Sequence, residues 1–281
     1  MAATARVLFS SELVKLSDFT CNTPKSGRGC ELCDTRSSVT IVRRGVHAYH
    51  GRGRVALAEA GLGLLYRGGE VYQLSHPYHR EAPDRSTCIE FDDALLEEAF
   101  GKWPLERDLG THLSARTHLL NHEVMAALVA GTLDRTGAEE AVLAVIRAVA
   151  RDFHLTAEGG GLPEVGRRRV ERAREFIAAR LDEDHGMAAI AAVAATSPFH
   201  LARLFKRHTG MTIRGYRLRL RLAVALERIV EGERDLSFLA AELGFSNHSH
   251  LTSAFRRQFG APPSVLRDRL GAKHSGRKAR F

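Results

Sequence analysis

Hydrophobic and polar positions change their rhythm along this chain, and the change divides it. Between residues 4 and 92 the apolar stretches are short and rich in β-formers: Val39-Thr40-Ile41-Val42, Arg54-Val55-Ala56-Leu57, Gly63-Leu64-Leu65-Tyr66, Val71-Tyr72-Gln73-Leu74 and residues 86–91. Gly45, Gly51, Gly53, Gly61, Gly63, Gly68 and Gly69 punctuate them. Many short strands at close spacing predict a small barrel or a double-sheet sandwich. From Asp93 the period becomes helical over 93–100, 111–134 and 137–156, with Leu119, Val124 and Leu128 on one segment and Val142, Val145, Ile146 and Val149 on the next. Such helices could cover an open end of a barrel or pair with a second subunit.

Gly159-Gly160-Gly161-Leu162-Pro163 cannot continue a helix, so 159–166 reads as a linker. From Arg167 the pattern is helical to about Leu270, and a basic tail, 271–281, with Lys273, Arg277, Lys278 and Arg280, is expected to be disordered. The expected class is α+β in two domains. Residues 1–158 carry strands then helices, and residues 167–270 are all-α.

The all-α part contains one pattern twice. Ile190-Ala191-Ala192 through Ser197 to Phe205-Lys206-Arg207 and Gly210 is repeated as Leu239-Ala240-Ala241 through Ser246 to Phe255-Arg256-Arg257 and Gly260. Early positions superpose at an offset of 49 and later ones at 50, which puts one inserted residue in the second turn. Two small helical units at a fixed spacing suit two reading helices in successive major grooves, roughly 34 Å apart.

In the first unit Ile190 and Val193 give the apolar face of a short helix, and Ser197-Pro198 marks an N-cap followed by proline in the first turn. Leu201, Leu204, Phe205 and His208 then fall on one buried face, leaving Phe199, Ala202, Arg203 and Lys206 outward. Arg203 can bond guanine O6 and N7, and Lys206 can neutralise a phosphate. Phe199 reads equally as a thymine-methyl contact or a core aromatic. In the second unit Gly244-Phe245-Ser246 is the turn, Leu251 and Phe255 are core, and His248, Ser249, Thr252, Ser253 and Arg256 make a small polar face suited to a groove. Residues 212–231 read as one spacer helix packing through Tyr216, Leu220, Ala223, Leu226 and Ile229-Val230, with Arg214, Arg217, Arg219 and Arg221 in phosphate range.

Charge agrees with this division. The net charge of +8 is made of +12 in residues 167–281, where 23 Lys+Arg face 11 Asp+Glu, and −4 in residues 1–166. A basic C-terminal part fits a polyanion partner. No apolar run approaches the ~18 residues that cross a bilayer, and no secretory leader pattern opens the chain. The expectation is a soluble cytoplasmic protein, on the nucleoid when DNA-bound, with no membrane partner.

Residues 170–270 resemble the DNA-binding domain of the AraC family of bacterial transcription regulators. Ser197-Pro198-Phe199-His200-Leu201, Leu204-Phe205-Lys206 and Gly210-Met211-Thr212 are similar to the family's first unit. Gly244-Phe245-Ser246, Ser249-His250-Leu251, Phe255-Arg256-Arg257-Gln258-Phe259-Gly260 and Pro263 are similar to its second-unit signature. Ile213 stands where the family usually has proline, and Leu251 where an aromatic is common. The resemblance implies a cupin-like effector or dimerisation domain in residues 1–158, and a homodimer. It also implies an activator working with RNA polymerase on double-stranded promoter DNA.

Cys21, Cys30 and Cys33 form Cys-x8-Cys-x2-Cys in a Pro/Gly/Lys/Arg loop, with Cys88 on a later strand. Three readings stand. The thiolates hold a zinc ion, with Cys88 or a histidine as fourth ligand. Lys25 and Arg28 lower a thiol pKa and make a redox or electrophile sensor. Or the cysteines are incidental. His47, His50, His76 and His79 read as a cupin-style pocket or as surface histidines. No carboxylate pair, phosphate-cradling loop or nucleophile–base arrangement is legible beside them, so no catalysis is expected. The alternatives to a signal-responsive regulator are a metal-dependent cupin enzyme fused to a DNA-binding module and a ligand-independent dimeric regulator.

Overall fold

The computed structural model describes residues 3–22, 26–51, 54–76, 83–101, 110–156 and 162–271. Ten strands and ten helices follow in order along them. β1 (Ala3–Ser10), β2 (Val14–Cys21), β3 (Ser26–Cys33), β4 (Ser37–Arg44), β5 (Val46–Gly51), β6 (Arg54–Glu59), β7 (Leu62–Tyr66), β8 (Val71–His76) and β9 (Asp84–Phe91) precede α1 (Asp93–Phe100) and β10 (Gly110–His112). Then come α2 (Ala115–Ala130), α3 (Arg135–Thr156), α4 (Glu164–Ala178), α5 (Met187–Val193), α6 (Pro198–Thr209), α7 (Ile213–Val230), α8 (Leu236–Glu242), α9 (His248–Phe259) and α10 (Pro263–Leu270). The two-domain α+β class is what the sequence led us to expect. α4 begins at Glu164, inside the expected linker, while 157–161 and the tail from 272 lie outside the described residues.

The strands make two open antiparallel sheets, ordered β1-β2-β9-β4-β7-β10 and β3-β8-β5-β6. The larger is a middle layer. Val39 and Ile41 of β4, Leu65 of β7 and Ile89 of β9 pack on α1, α2 and α3 through Leu96, Val124 and Val145. Val42, Leu64 and Tyr66, of opposite parity, meet Tyr49 and Ala58 of the smaller sheet. Both faces are covered, so β4 and β7 read as continuous apolar runs and not as alternation.

Spacer helix α7 serves two cores. Ile213, Tyr216 and Leu220 pack with α4, α5 and α6, whereas Leu222, Ala225, Leu226 and Ile229 pack with α8, α9 and α10. A polar seam joins these helices to the strand domain. Arg43 Nη1 donates to Glu227 Oε1 at 2.9 Å, and Arg43 also bonds Asp18. Arg44 Nη1 and Arg85 Nε meet the two oxygens of Glu231 at 2.6 and 3.2 Å. Arg174 Nη2 and Tyr216 Oη both donate to Glu59 Oε1, at 2.6 and 2.8 Å. Burial pushes the Glu59 carboxyl up, opposed by the Arg174 guanidinium and by the hydrogen bonds from Arg174 and Tyr216. The buried polar face of α2 (Thr117, His118, Asn121 and His122) lines the same region.

Candidate nucleic-acid interface

α5 is short, and Ile190, Ala191 and Ala194 hold it against Leu201 and Phe205 of α6. Val193, expected on that apolar face, is 43% exposed. It sits one helical turn from Ile190 but on the rim, and the small Ala191 and Ala194 fill the contact instead. Ser197 Oγ accepts from His200 N at 3.3 Å, the cap that its sequence position announces, and Pro198 opens α6. Leu201, Leu204 and Phe205 are buried as expected. His208 is not core: its Nε2 lies 3.5 Å from Glu171 Oε1 at the edge of α4.

The outward face of α6 carries Phe199, Ala202, Arg203 and Lys206, all exposed. Phe199 is 80% exposed, which removes the core-aromatic reading. Arg203 makes one weak contact, Nη2 to His200 Nδ1 at 3.4 Å, and leaves most of its donors available.

The second unit repeats this geometry. α8 spans the residues of α5 shifted by 49, and α9 those of α6 shifted by 50, so the extra residue lies in the turn. Asn247 Oδ1 caps α9 by accepting from His250 N at 2.8 Å. His248, Ser249, Ser253 and Arg256 are exposed, and Thr252 is half-buried. Both turns place one residue in the left-handed region: Gly244 at φ +68° and its counterpart Ala195 at φ +50°. Gly244 is doubly constrained, because a Cβ there would meet the Arg221 guanidinium and the Asp182 carbonyl.

The spacer arginines depart from expectation. Arg221 donates to the carbonyls of Leu181 (2.7 Å) and Gly244 (2.8 Å), tying the α4–α5 connection to the second turn. Arg217 holds Asp184 at 2.5 Å and the His185 carbonyl at 2.9 Å. Arg219 points to Met211 Sδ, and burial lowers its pKa. Arg221 thus links the two units, Arg217 and Arg219 hold α7 to the first, and only Arg214 of the four is exposed. Sequence reasoning also missed the seam. Its one local sign was a carboxylate, Glu227, beside the apolar stripe of α7.

The cysteines are not gathered. Cys21 ends β2 and is buried, Cys30 and Cys33 lie on strand β3 and not in a loop, and Cys33 is exposed. Ser26 at the other end of β3 pairs with His76, so Cys33 stands roughly 20 Å along the strand from that end at 3.3 Å per residue. Cys88 sits mid-strand in β9, and burial pushes its thiol up to about 11. Among the described residues no set of three or more Cys, His, Asp or Glu is arranged to hold a metal ion, and Cys30's side chain and Lys25 lie outside them. His47 and His50, three residues apart on β5, point to opposite faces, and His50 Nε2 is 2.7 Å from Ser75 Oγ. His79 lies outside the described residues. The His47 and His76 rings come within 6.2 Å of each other, centroid to centroid, while His50 lies on the other face, so the three histidines do not converge on one pocket.

Comparison with known proteins agrees with the geometry of the helical part. A family profile described as "Helix-turn-helix domain" matches residues 190–269. The transcriptional activator RhaS of Pectobacterium carotovorum is 39% identical over 67 residues, 24% of this chain and 24% of RhaS. Regulatory protein SoxS of Salmonella typhimurium is 29% identical over 101 residues, 36% of this chain and 94% of SoxS. A solved AraC-type DNA-binding regulator from Chromobacterium violaceum is 25% identical, covers 39% of this chain and 96% of its own, and superposes with a TM-score of 0.36. The match spans about a quarter to a third of the length of the first curated relatives.

Proposed function

From the AraC-type helix-turn-helix domain that residues 190–269 form, we propose that this chain is a sequence-specific DNA-binding transcription regulator of a bacterial cytoplasm. In this reading its strand domain receives a signal and passes it to the DNA-binding units. The observation that carries the reading is the pair of exposed, uncommitted faces on α6 and α9, displayed by two copies of one fold on a shared helix. Arg203 supplies a base-reading guanidinium, Phe199 an apolar contact for a thymine methyl, and Lys206 a phosphate contact. An activating role, as the name of RhaS states for that protein, implies contact with RNA polymerase, and in this reading the strand domain also pairs two copies of the chain as a homodimer.

Selection of binding sites from a random duplex pool, followed by titration of the selected site, tests this. R203A weakens binding by ~1–3 kcal/mol and relaxes preference at one base pair, whereas K206A weakens all sequences alike and reduces the salt slope by about 1. A pool that yields no enriched sequence, or an R203A chain with unaltered affinity and preference, refutes the assignment.

A further inference from the structure

Three chemistry-bearing side chains that the DNA interface does not use meet where β2 ends, β8 ends and β9 begins. Cys21 Sγ lies 3.5 Å from His76 Nε2, and His76 Nδ1 lies 3.2 Å from Asp84 Oδ2. Cys21 and Asp84 are cross-strand partners, so the register of β2 on β9 sets their separation. Gly45, at φ +99°, leaves the space that the Asp84 carboxylate occupies, since a Cβ there would overlap it. Sequence inspection gave no nucleophile–base arrangement because these residues are 55 and 63 positions from the cysteine.

We propose that Cys21, His76 and Asp84 form a reactive-thiol centre, in which Cys21 adds to a small soft electrophile of the α,β-unsaturated carbonyl class. The Asp84 carboxylate, 3.2 Å from Nδ1, favours a proton on that nitrogen and the imidazolium that forms, which leaves Nε2 to take the thiol proton. The thiolate then forms a bond to the β-carbon, and the alkene pair moves to the α-carbon, which takes the proton from the imidazolium. Nothing else is consumed. The protein regains its neutral histidine and carries a thioether.

The other described thiols lack this arrangement. Cys33 is exposed on the far part of β3, and Cys88 is a half-buried thiol pushed up toward its protonated form, four residues along β9 from Asp84 and so roughly 13 Å away. Both are beyond the ~4.4–6.8 Å Cα separation of a disulfide, so neither of these two thiols can be joined to Cys21 by oxidation. The centre also adjoins the seam. Arg85, next to Asp84, donates to Thr20 Oγ1 at 3.0 Å and meets Glu231 at the end of α7. An adduct on Cys21, a residue 7% exposed, must displace these strand ends, and their displacement reaches the helix that spaces the two reading units. That last step rests on the DNA-regulator reading, whereas the thiol chemistry does not.

The test is peptide-mapped mass spectrometry of the reduced full chain treated with methyl vinyl ketone between pH 6 and 9. Cys21 is expected to react at least tenfold faster than exposed Cys33 at pH 6.5, and H76N to lose that advantage. Slower reaction at Cys21 than at Cys33, or an H76N rate equal to wild type, overturns the proposal. Should H76N fail to fold, the wild-type pH profile decides: a rate that climbs only above pH 8 overturns it. DNA titration of the adduct, with electrophile-treated C21S as control, reads the coupling, and equal affinity with and without adduct overturns that step. Absence of specific binding by the unreacted chain would instead sink the regulator reading and leave the thiol centre standing.

Discussion

Acid should loosen this protein through two histidines that face the helix joining its reading units. His118 and His122, one turn apart on α2, are 3% and 2% exposed. Burial, with His122 as a charged neighbour, pushes His118 down to about 3, and burial with the Arg43 guanidinium pushes His122 down to about 3. Arg219, Arg43 and the Gly61 backbone also act on His118. Glu227 Oε2 lies 3.7 Å from His122 Nε2 and is shared with Arg43 through its other oxygen.

In the unfolded chain a histidine titrates near 6.5, so below that pH the unfolded state takes up protons that the folded state excludes. The stabilisation is complete above pH 6.5 and is lost as pH falls from 6.5 toward 3. One pKa unit is worth about 1.4 kcal/mol, so going from pH 7.5 to 5.5 costs about 1.4 kcal/mol for each histidine and roughly 3 kcal/mol for the pair. Urea denaturation at pH 7.5, 6.5 and 5.5 should show that loss in the wild type and most of it abolished in H118Q/H122Q. Hydrogen exchange should place the earliest opening at α2 and α7. An identical pH slope in the double variant would refute the reasoning, because neither histidine could then be the group that excludes protons.

The remaining expectations concern the turns and the seam. Ala195 occupies the left-handed position that Gly244 fills in the other unit, so A195G should raise stability by about 0.5–1 kcal/mol. G244A should lower stability by more than about 1 kcal/mol, since strain and collision with Arg221 add. Both are read from urea midpoints, and equal signs for the two changes would contradict the turn argument. E59A strips Arg174 Nη2 and Tyr216 Oη of their shared acceptor and leaves Glu171, 2.8 Å from Nη1, as the remaining carboxylate on the guanidinium, so it should cost about 1–3 kcal/mol, whereas E59Q, which keeps an acceptor for Arg174 and Tyr216, should cost less. A null effect of E59A on the thermal midpoint would mean that the seam opens freely in solution.

What the sequence made legible was local. Capping residues, the left-handed glycine and apolar spacing over a few turns located α5 through α9, because each signal acts within about five residues. The single-residue offset between the units was visible for the same reason, as an insertion in a turn. The seam was not legible. Arg43 and Glu227 are 184 positions apart and Glu59 and Arg174 are 115 apart, and the carboxylate of Glu227 beside an apolar stripe does not say which partner it meets. The spacer arginines looked like phosphate contacts because charge on a basic helix is read by composition, while carbonyls presented by the α4–α5 connection and by Gly244 claim two of them. The cysteine motif misled in the opposite direction. Spacing suggested that Cys21, Cys30 and Cys33 belong together, yet β3 leaves β2's sheet for the other one, and Cys21 finds its partners on β8 and β9 instead.

These long-range pairs give α7 a particular mechanical position. Its first half completes the core of one reading unit and its second half the core of the other, so the two helices α6 and α9 inherit their relative placement from it. Its remaining side faces Arg43 and Arg44 of β4, Arg85 of β9 and His122 of α2 through Glu227 and Glu231. Charges buried at such a boundary contribute little net stability when paired and cost several kcal/mol when one partner is withdrawn. The boundary therefore responds sharply to changes that remove or protonate a partner and weakly to conservative ones. A strand domain coupled through apolar packing alone would lack that asymmetry. Here, a perturbation at β4, β9 or α2 reaches the one helix that sets the spacing of α6 and α9.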